Sequence, residues 1–318
     1  MQISGRTRFS AHFFDASSSS ASRFDAARLR AVRHPVARLS CIFWIAASTP
    51  MNTVNFGHSL ARLTWRVTVA AALAAAAATV SAKPSPSVTP LPARAFADCP
   101  AFFVEGHVPT PAAAPHLGKL RALCYEAFAV LHNGESKTPV YVVQRLNRAA
   151  IDDADEKRTN KFFADARLPR DERAELGDYK RSGYSRGHMA PAGDMPTAQA
   201  MAQSFSLANM VPQAIKHNGG PWAKIEQDTR RYAQRAQGDV FVFTGPVFKA
   251  GSDTIGDGQV RVPSHLYKLV YDATTHRSWA YWQANDDAER ASKPISYEEL
   301  VQRTGIQFLP QPIRTSSR

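Results

Sequence analysis

The chain has 318 residues, 44% hydrophobic and 21% charged, which is the balance of a globular protein and excludes a fibrous or wholly disordered one. Its net charge is +12, yet residues 1–82 hold nine Arg and only two acids, Asp15 and Asp25, so the remainder carries +5. A mildly basic body suits an anionic partner, but charge alone speaks to solubility and steering and does not select a function.

Residues 1–50 are rich in Arg and Ser, poor in acids and contain the tract Ser17–Ser20. They read either as an extension upstream of the true start or as an organelle transit peptide. Met51 opens a second beginning. Arg62 and Arg66 form a weakly basic segment, Val67–Val80 is an alanine-rich apolar run, and Val80-Ser81-Ala82 supplies small residues for cleavage. The pattern over 51–82 is that of a secretory signal peptide and implies a periplasmic or secreted protein. A run of fourteen residues is short for a bilayer span, so no stable membrane insertion is expected. The competing reading is a short alanine-rich core helix. Residues 83–97, with Pro84, Pro86, Pro90 and Pro92, read as an extended linker, and 98–318 as the folded domain.

Cys41 falls in the excluded segment, which leaves Cys99 and Cys124. In an exported chain this even pair predicts a disulfide, the alternative being two separate buried thiols. No CxxC or Cys/His spacing supports a structural zinc.

Along the body, Thr138–Leu146 is β-branched and aromatic and predicts a strand. The charged stretch Asp152–Lys161 predicts a solvated loop, and Leu168–Asp178 a short helix or loop. Thr197–Ser204 looks helical, and Phe205–Val211 is a short apolar stretch ending at Pro212. Trp222, Ile225, Thr229 and Tyr232 recur at helical spacing, so Pro221–Gln237 predicts the clearest helix, stopped by Gly238 and Asp239. Strands are expected at Asp239–Phe243, at Val260–Tyr271 with an interruption near Pro263, and at Arg277–Gln283. A last helix over Ser296–Thr304 ends at Gly305. Strands come in runs, so the fold class is α+β with a central, largely antiparallel sheet flanked by helices.

Within this frame, Tyr184-Ser185-Arg186-Gly187-His188-Met189-Ala190-Pro191 carries the chemistry. His188 is a candidate general base, since a neutral imidazole takes a proton from water near pH 7. Alone it would be a hydrogen-bonded histidine near a turn. Arg186 lies two residues away, hence on the same face of an extended strand, where its fork can hold a phosphate oxygen. Gly187 between them permits close backbone approach. Asn218 offers a hard amide oxygen suited to Mg²⁺, with Mn²⁺ as the alternative; the bland reading is a helix N-cap. Asn218, Trp222, Glu226 and Arg230 are spaced by four and would share one helix face if the helix begins near Asn218. The bland reading of Glu226 and Arg230 is a surface ion pair. Asn209 either orients His188 and its water or is a turn residue. Lys180, Arg181, Lys216, Arg231 and Arg235 add positive charge, as a solvated face or as phosphate contacts.

At these residues the chain resembles the DNA/RNA non-specific endonucleases, the family of the Serratia-type secreted nucleases and mitochondrial endonuclease G. The matching segments are 178–195, 204–213, 217–230, 242–248 and 262–271. The resemblance implies a ββα-metal site, Mg²⁺-dependent cleavage of DNA and RNA, and 5′-phosphate products. It places His188 at the general base and Asn218 at the metal ligand. Arg186, Asn209, Glu226 and Arg230 fall at supporting positions, and Arg158 at a further arginine across a variable loop. One departure stands out: the family signature Asp-Arg-Gly-His begins with Ser185 here. A catalytically weak nucleic-acid-binding protein on the same scaffold is therefore the alternative, and a homodimer remains open.

Overall fold

The computed structural model describes residues 89–114 and 116–310. The expected extension (1–50) and signal peptide (51–82) lie outside the described residues, as does the start of the expected linker. In chain order the elements are β1 (Leu120–Cys124), β2 (Ala129–Asn133), β3 (Thr138–Leu146), α1 (Arg148–Asp152), β4 (Tyr184–His188), α2 (Ala198–Ser204) and β5 (Met210–Ala214). There follow α3 (Ile215–His217), a wide π turn (Asn218–Trp222), α4 (Ala223–Arg235), β6 (Val240–Val247), β7 (Thr254–Ile255) and β8 (Val260–Arg261). β9 (His265–Asp272), β10 (Arg277–Ala284) and α5 (Tyr297–Thr304) complete the order.

Six strands form one sheet in the order β1-β2-β3-β6-β9-β10, with every neighbouring pair antiparallel. The α+β expectation therefore holds. Its central strands read as nearly continuous apolar runs because both faces are covered. Alternation sorts them. Tyr141, Val143, Phe241, Phe243, Tyr267, Leu269 and Tyr271 face one core with Phe96, Phe103 and Phe308. Val142, Val242, Leu266 and Val270 face the other side, where α2, β5 and α4 pack. Lys268 has the parity of Leu266 and Val270, so a lysine points into that second layer.

The second layer holds the functional unit. β4 and β5 pair antiparallel, Ser185 opposite Gln213 and His188 opposite Met210, and the chain then turns through the π turn into α4. This is a ββα unit standing on the sheet. Gly187 is required at its place, because a β-carbon there would collide with the Gln213 side chain crossing from β5.

The far end of the expected linker is part of the fold, since Phe96 is buried and packs in tilted contact with Phe103 and Tyr141. Cys99 and Cys124 form the expected disulfide, tying this segment to the end of β1. Closing a loop of sequence separation 25 restricts the unfolded chain by about 3.5 kcal/mol on the chain-entropy account. The double variant Cys99→Ser, Cys124→Ser should lose stability of that order in urea titrations; an unchanged midpoint would contradict it.

Candidate active site

Six of the seven sequence-derived candidates line one cleft of about 590 Å³: Arg158, Arg186, His188, Asn218, Glu226 and Arg230. β4 supplies Arg186 and His188, the π turn Asn218, and α4 Glu226 and Arg230.

His188 is 8% exposed and its Nε2 is buried without a hydrogen-bond partner. Phe205 meets the ring edge-on at 5.1 Å and Phe162 lies tilted against it at 5.9 Å, so the imidazole is set by packing. Burial, then the charges of Arg158 and Arg186, push its pKa down to about 3. The ring is therefore neutral at pH 7, with a lone pair able to accept a proton. Both arginines rest on these same aromatic rings. Arg186 lies 4.1 Å over Phe162 and Arg158 lies 5.0 Å over Phe205. Arg158 Nε also donates to Asn160 Oδ1 at 2.7 Å.

Asn218 is no N-cap. It sits in helical conformation inside the π turn, and its Nδ2 donates to Ser185 Oγ at 3.0 Å. Ser185 Oγ in turn donates to the Gln213 carbonyl at 2.8 Å. The serine at the departing signature position thus orients the Asn218 amide, leaving Oδ1 as its free hard donor. The wide turn also breaks the expected four-residue stripe. Trp222 is fully buried beneath the cleft, whereas Asn218, Glu226 and Arg230 line it.

Arg230 does not pair with Glu226 in a simple surface bridge. Its Nε donates to Asp194 Oδ1 at 2.7 Å, and Gly193 leaves room for the guanidinium where a β-carbon would clash. Beneath them, Lys268 is 1% exposed, donates to Thr244 Oγ1 at 2.7 Å and lies 5.4 Å from the Trp222 ring. Burial raises the pKa of Glu226, with Lys268 and Arg230 opposing and Asp194 reinforcing. Burial likewise raises Asp194 and lowers Lys268. Asp194 and Lys268 were missed from the sequence; the signal for Lys268 was a lone cation inside the apolar run of β9.

Asn209 stands apart from the cleft. It is fully buried, donates to the carbonyls of Ala190 and Ser204 at 2.9 Å, and accepts from the Ala190 N–H at 2.9 Å. It fixes the backbone that leaves β4 immediately after His188.

The buried histidines set a pH dependence of stability. His188 falls to about 3, and His132 and His217 to about 4, in each case by burial first. Depressed folded-state values mean that the unfolded chain binds more protons below pH 6.5. Their contribution is complete above that pH and drains as pH falls toward 4, at roughly 1 kcal/mol per pH unit for each. Glu226 and Asp194, both raised, act with the opposite sign. Urea titrations should show a net loss of stability from pH 7 to pH 5, with a shallower slope in His132→Leu. Equal stability at both pH values would contradict the buried neutral assignments.

Among the described residues, no cluster of three or more His, Cys, Asp or Glu could hold a metal by itself. The donors at this cleft, one amide oxygen and one half-buried carboxylate, fit a hard cation that keeps most of its water. Also among the described residues, no helix is long and apolar enough to cross a membrane.

The profile of the DNA/RNA non-specific endonuclease family matches residues 112–313. Human mitochondrial nuclease EXOG is 33% identical over 217 residues, covering 61% of this chain and 58% of the human protein. The mitochondrial nuclease of Saccharomyces cerevisiae is 32% identical, covering 61% of this chain and 62% of the yeast protein. Nuclease C1 of Cunninghamella echinulata is 35% identical, covering 49% of this chain and 67% of that protein. The chain thus spans a little under two thirds of the human and yeast relatives. A chain of the EndoG/EndoGI complex superposes with a TM-score of 0.54 at 23% identity, covering 69% of this chain and 93% of that one, which shows a shared fold. The expectation of a periplasmic or secreted protein is corrected by these relatives, since the human and yeast proteins are mitochondrial. An Arg-rich, acid-poor leader is common to exported and organelle-targeted chains, so composition over 1–82 does not separate them.

Proposed function

Because the chain belongs to the DNA/RNA non-specific endonuclease family, we propose that it hydrolyses phosphodiester bonds of DNA and RNA at the cleft around His188, using a divalent cation. The observation that carries this reading is a neutral imidazole, its Nε2 without a hydrogen-bond partner, in a cleft that it shares with three arginines, Asn218 and Glu226.

Arg158 and Arg186 flank His188 and hold the non-bridging oxygens of the phosphate. Arg230 adds positive charge on the far wall through the guanidinium nitrogens that Asp194 leaves free. Water attacks phosphorus while His188 takes its proton; the bond from phosphorus to the 3′-oxygen breaks, and that oxygen is protonated from solvent. The products carry a 5′-phosphate and a 3′-hydroxyl. Glu226 orders water on the opposite wall of the cleft. Asn218 Oδ1 would hold Mg²⁺ or Mn²⁺, which when bound would neutralise charge on the phosphate and the departing oxygen. Asn209 and Ser185 act on position, one through the β4 backbone and the other through the Asn218 amide. The Ser185 contact also weakens the case for an inactive binding protein, because the hydroxyl supports the proposed ligand.

Asn218→Ala should raise the Mg²⁺ concentration for half-maximal cleavage by tenfold or more, with the unfolding midpoint nearly unchanged. An unaltered metal titration would contradict the role of Asn218.

A further inference from the structure

A second hollow, of about 610 Å³, adjoins the cleft on the other side of Arg186 and is lined by Asn160, Phe162, Leu176, Lys180, Tyr184 and Arg186, among others. Two links join the spaces. Arg186 borders both, and Arg158 in the cleft donates to Asn160 in the hollow at 2.7 Å. The lining combines aromatic and cationic groups and includes no carboxylate. Phe162 carries the Arg186 guanidinium at 4.1 Å, which makes a flat cationic and aromatic surface. Leu176 is 46% exposed and, with Phe163 and Ile215, is one of three exposed large apolar side chains among the described residues. An exposed apolar group between a lysine and aromatic rings has no packing purpose in the free protein.

From this juxtaposition we infer that the hollow is a base-stacking subsite: it takes an unpaired base of the nucleic-acid strand next to the phosphate held at Arg186. The inference rests on the nuclease reading and names the form of substrate for the same site. Its size lies within the range of pockets that hold small organic groups. Aromatic faces accept any base without reading sequence, and the adjoining cations follow the backbone. A base paired in a duplex cannot enter, so the subsite favours single strands or locally opened ones.

The test compares Tyr184→Ala and Leu176→Asp with the unaltered protein on a single-stranded oligonucleotide, its duplex and bis(4-nitrophenyl) phosphate. Binding of a 2-aminopurine oligonucleotide in EDTA is followed by fluorescence in parallel. The expected result is a rise of about tenfold in KM for the single strand, with weaker quenching of the probe. The duplex KM should rise less, and the small-diester rate should stay within twofold. Unchanged single-strand KM and quenching in both variants would overturn the subsite and leave the nuclease reading intact, as would a parallel loss on the small diester. An unaltered protein that cleaves none of the three would overturn the nuclease reading, and the subsite with it.

Discussion

His188→Ala should lower the rate of phosphodiester cleavage at pH 7 by at least ~10²–10⁴, the usual worth of a positioned general base. The cleft lines up no other neutral nitrogen base: its remaining ionisable groups are arginines, Lys224 and Glu226. A pKa of about 3 makes the free imidazole a weak base, held down by burial and by Arg158 and Arg186. A bound phosphodiester, with its single negative charge, offsets part of the positive charge of those two arginines, so basicity rises when substrate is in place. The acid limb of kcat should therefore lie at higher pH than expected for the free protein. Thermal unfolding of the variant should stay within a few degrees, because the ring contributes an edge contact to Phe205, a tilted contact to Phe162 and no hydrogen bond through Nε2. Near-normal turnover in a folded His188→Ala protein would remove the histidine from the mechanism.

Lys268→Met should cost about 3–5 kcal/mol of stability at pH 8, the range for removing one partner from a buried charge cluster. Methionine fills similar volume under Trp222, so the loss is electrostatic. Without the ammonium, Asp194 and Glu226 keep only the partly exposed Arg230 as a counter-charge. Both carboxyls already sit above their ordinary pKa through burial, and losing the lysine raises them further. A raised acid contributes its stability in the protonated form at low pH and loses it as pH rises. The penalty should therefore be smaller at pH 6 than at pH 8. Urea titrations at the two pH values check this; a loss below about 1 kcal/mol at pH 8, or one independent of pH, would contradict the cluster.

Much of the frame was legible because period and punctuation agreed. Thr138–Leu146 forms a strand over those same residues, and α5 runs from Tyr297 to a left-handed Gly305. β1 and β2 escaped notice: each is five residues long, and Arg121, His132 and Asn133 disguise their apolar content. In sequence β5 shows only as an apolar stretch because Pro212 lies within it; Pro212 stands opposite Arg186 in a two-stranded pair, where a missing donor is tolerated. Arg186, His188, Asn218, Glu226 and Arg230 were legible from the motif and its spacing, whereas Arg158 entered only through the family resemblance. The π turn was not, since it depends on Gly219, Gly220 and Pro221 acting together, and it is what separates Trp222 from Asn218. Asp194 and the bond from Asn218 to Ser185 are tertiary pairings that join distant segments, and local patterns carry no trace of them; Lys268 shows in sequence only as a cation within the apolar run of β9, and its partners come from other segments.

The central claim is metal-dependent cleavage of both nucleic acids at one cleft. Its most direct measurement incubates the purified protein with supercoiled plasmid and with RNA, each in Mg²⁺ and in EDTA. Both substrates should be degraded in Mg²⁺ and both should survive in EDTA. Binding of either without cleavage, across Mg²⁺ and Mn²⁺, would contradict it and would make the protein a nucleic-acid binder on a nuclease scaffold.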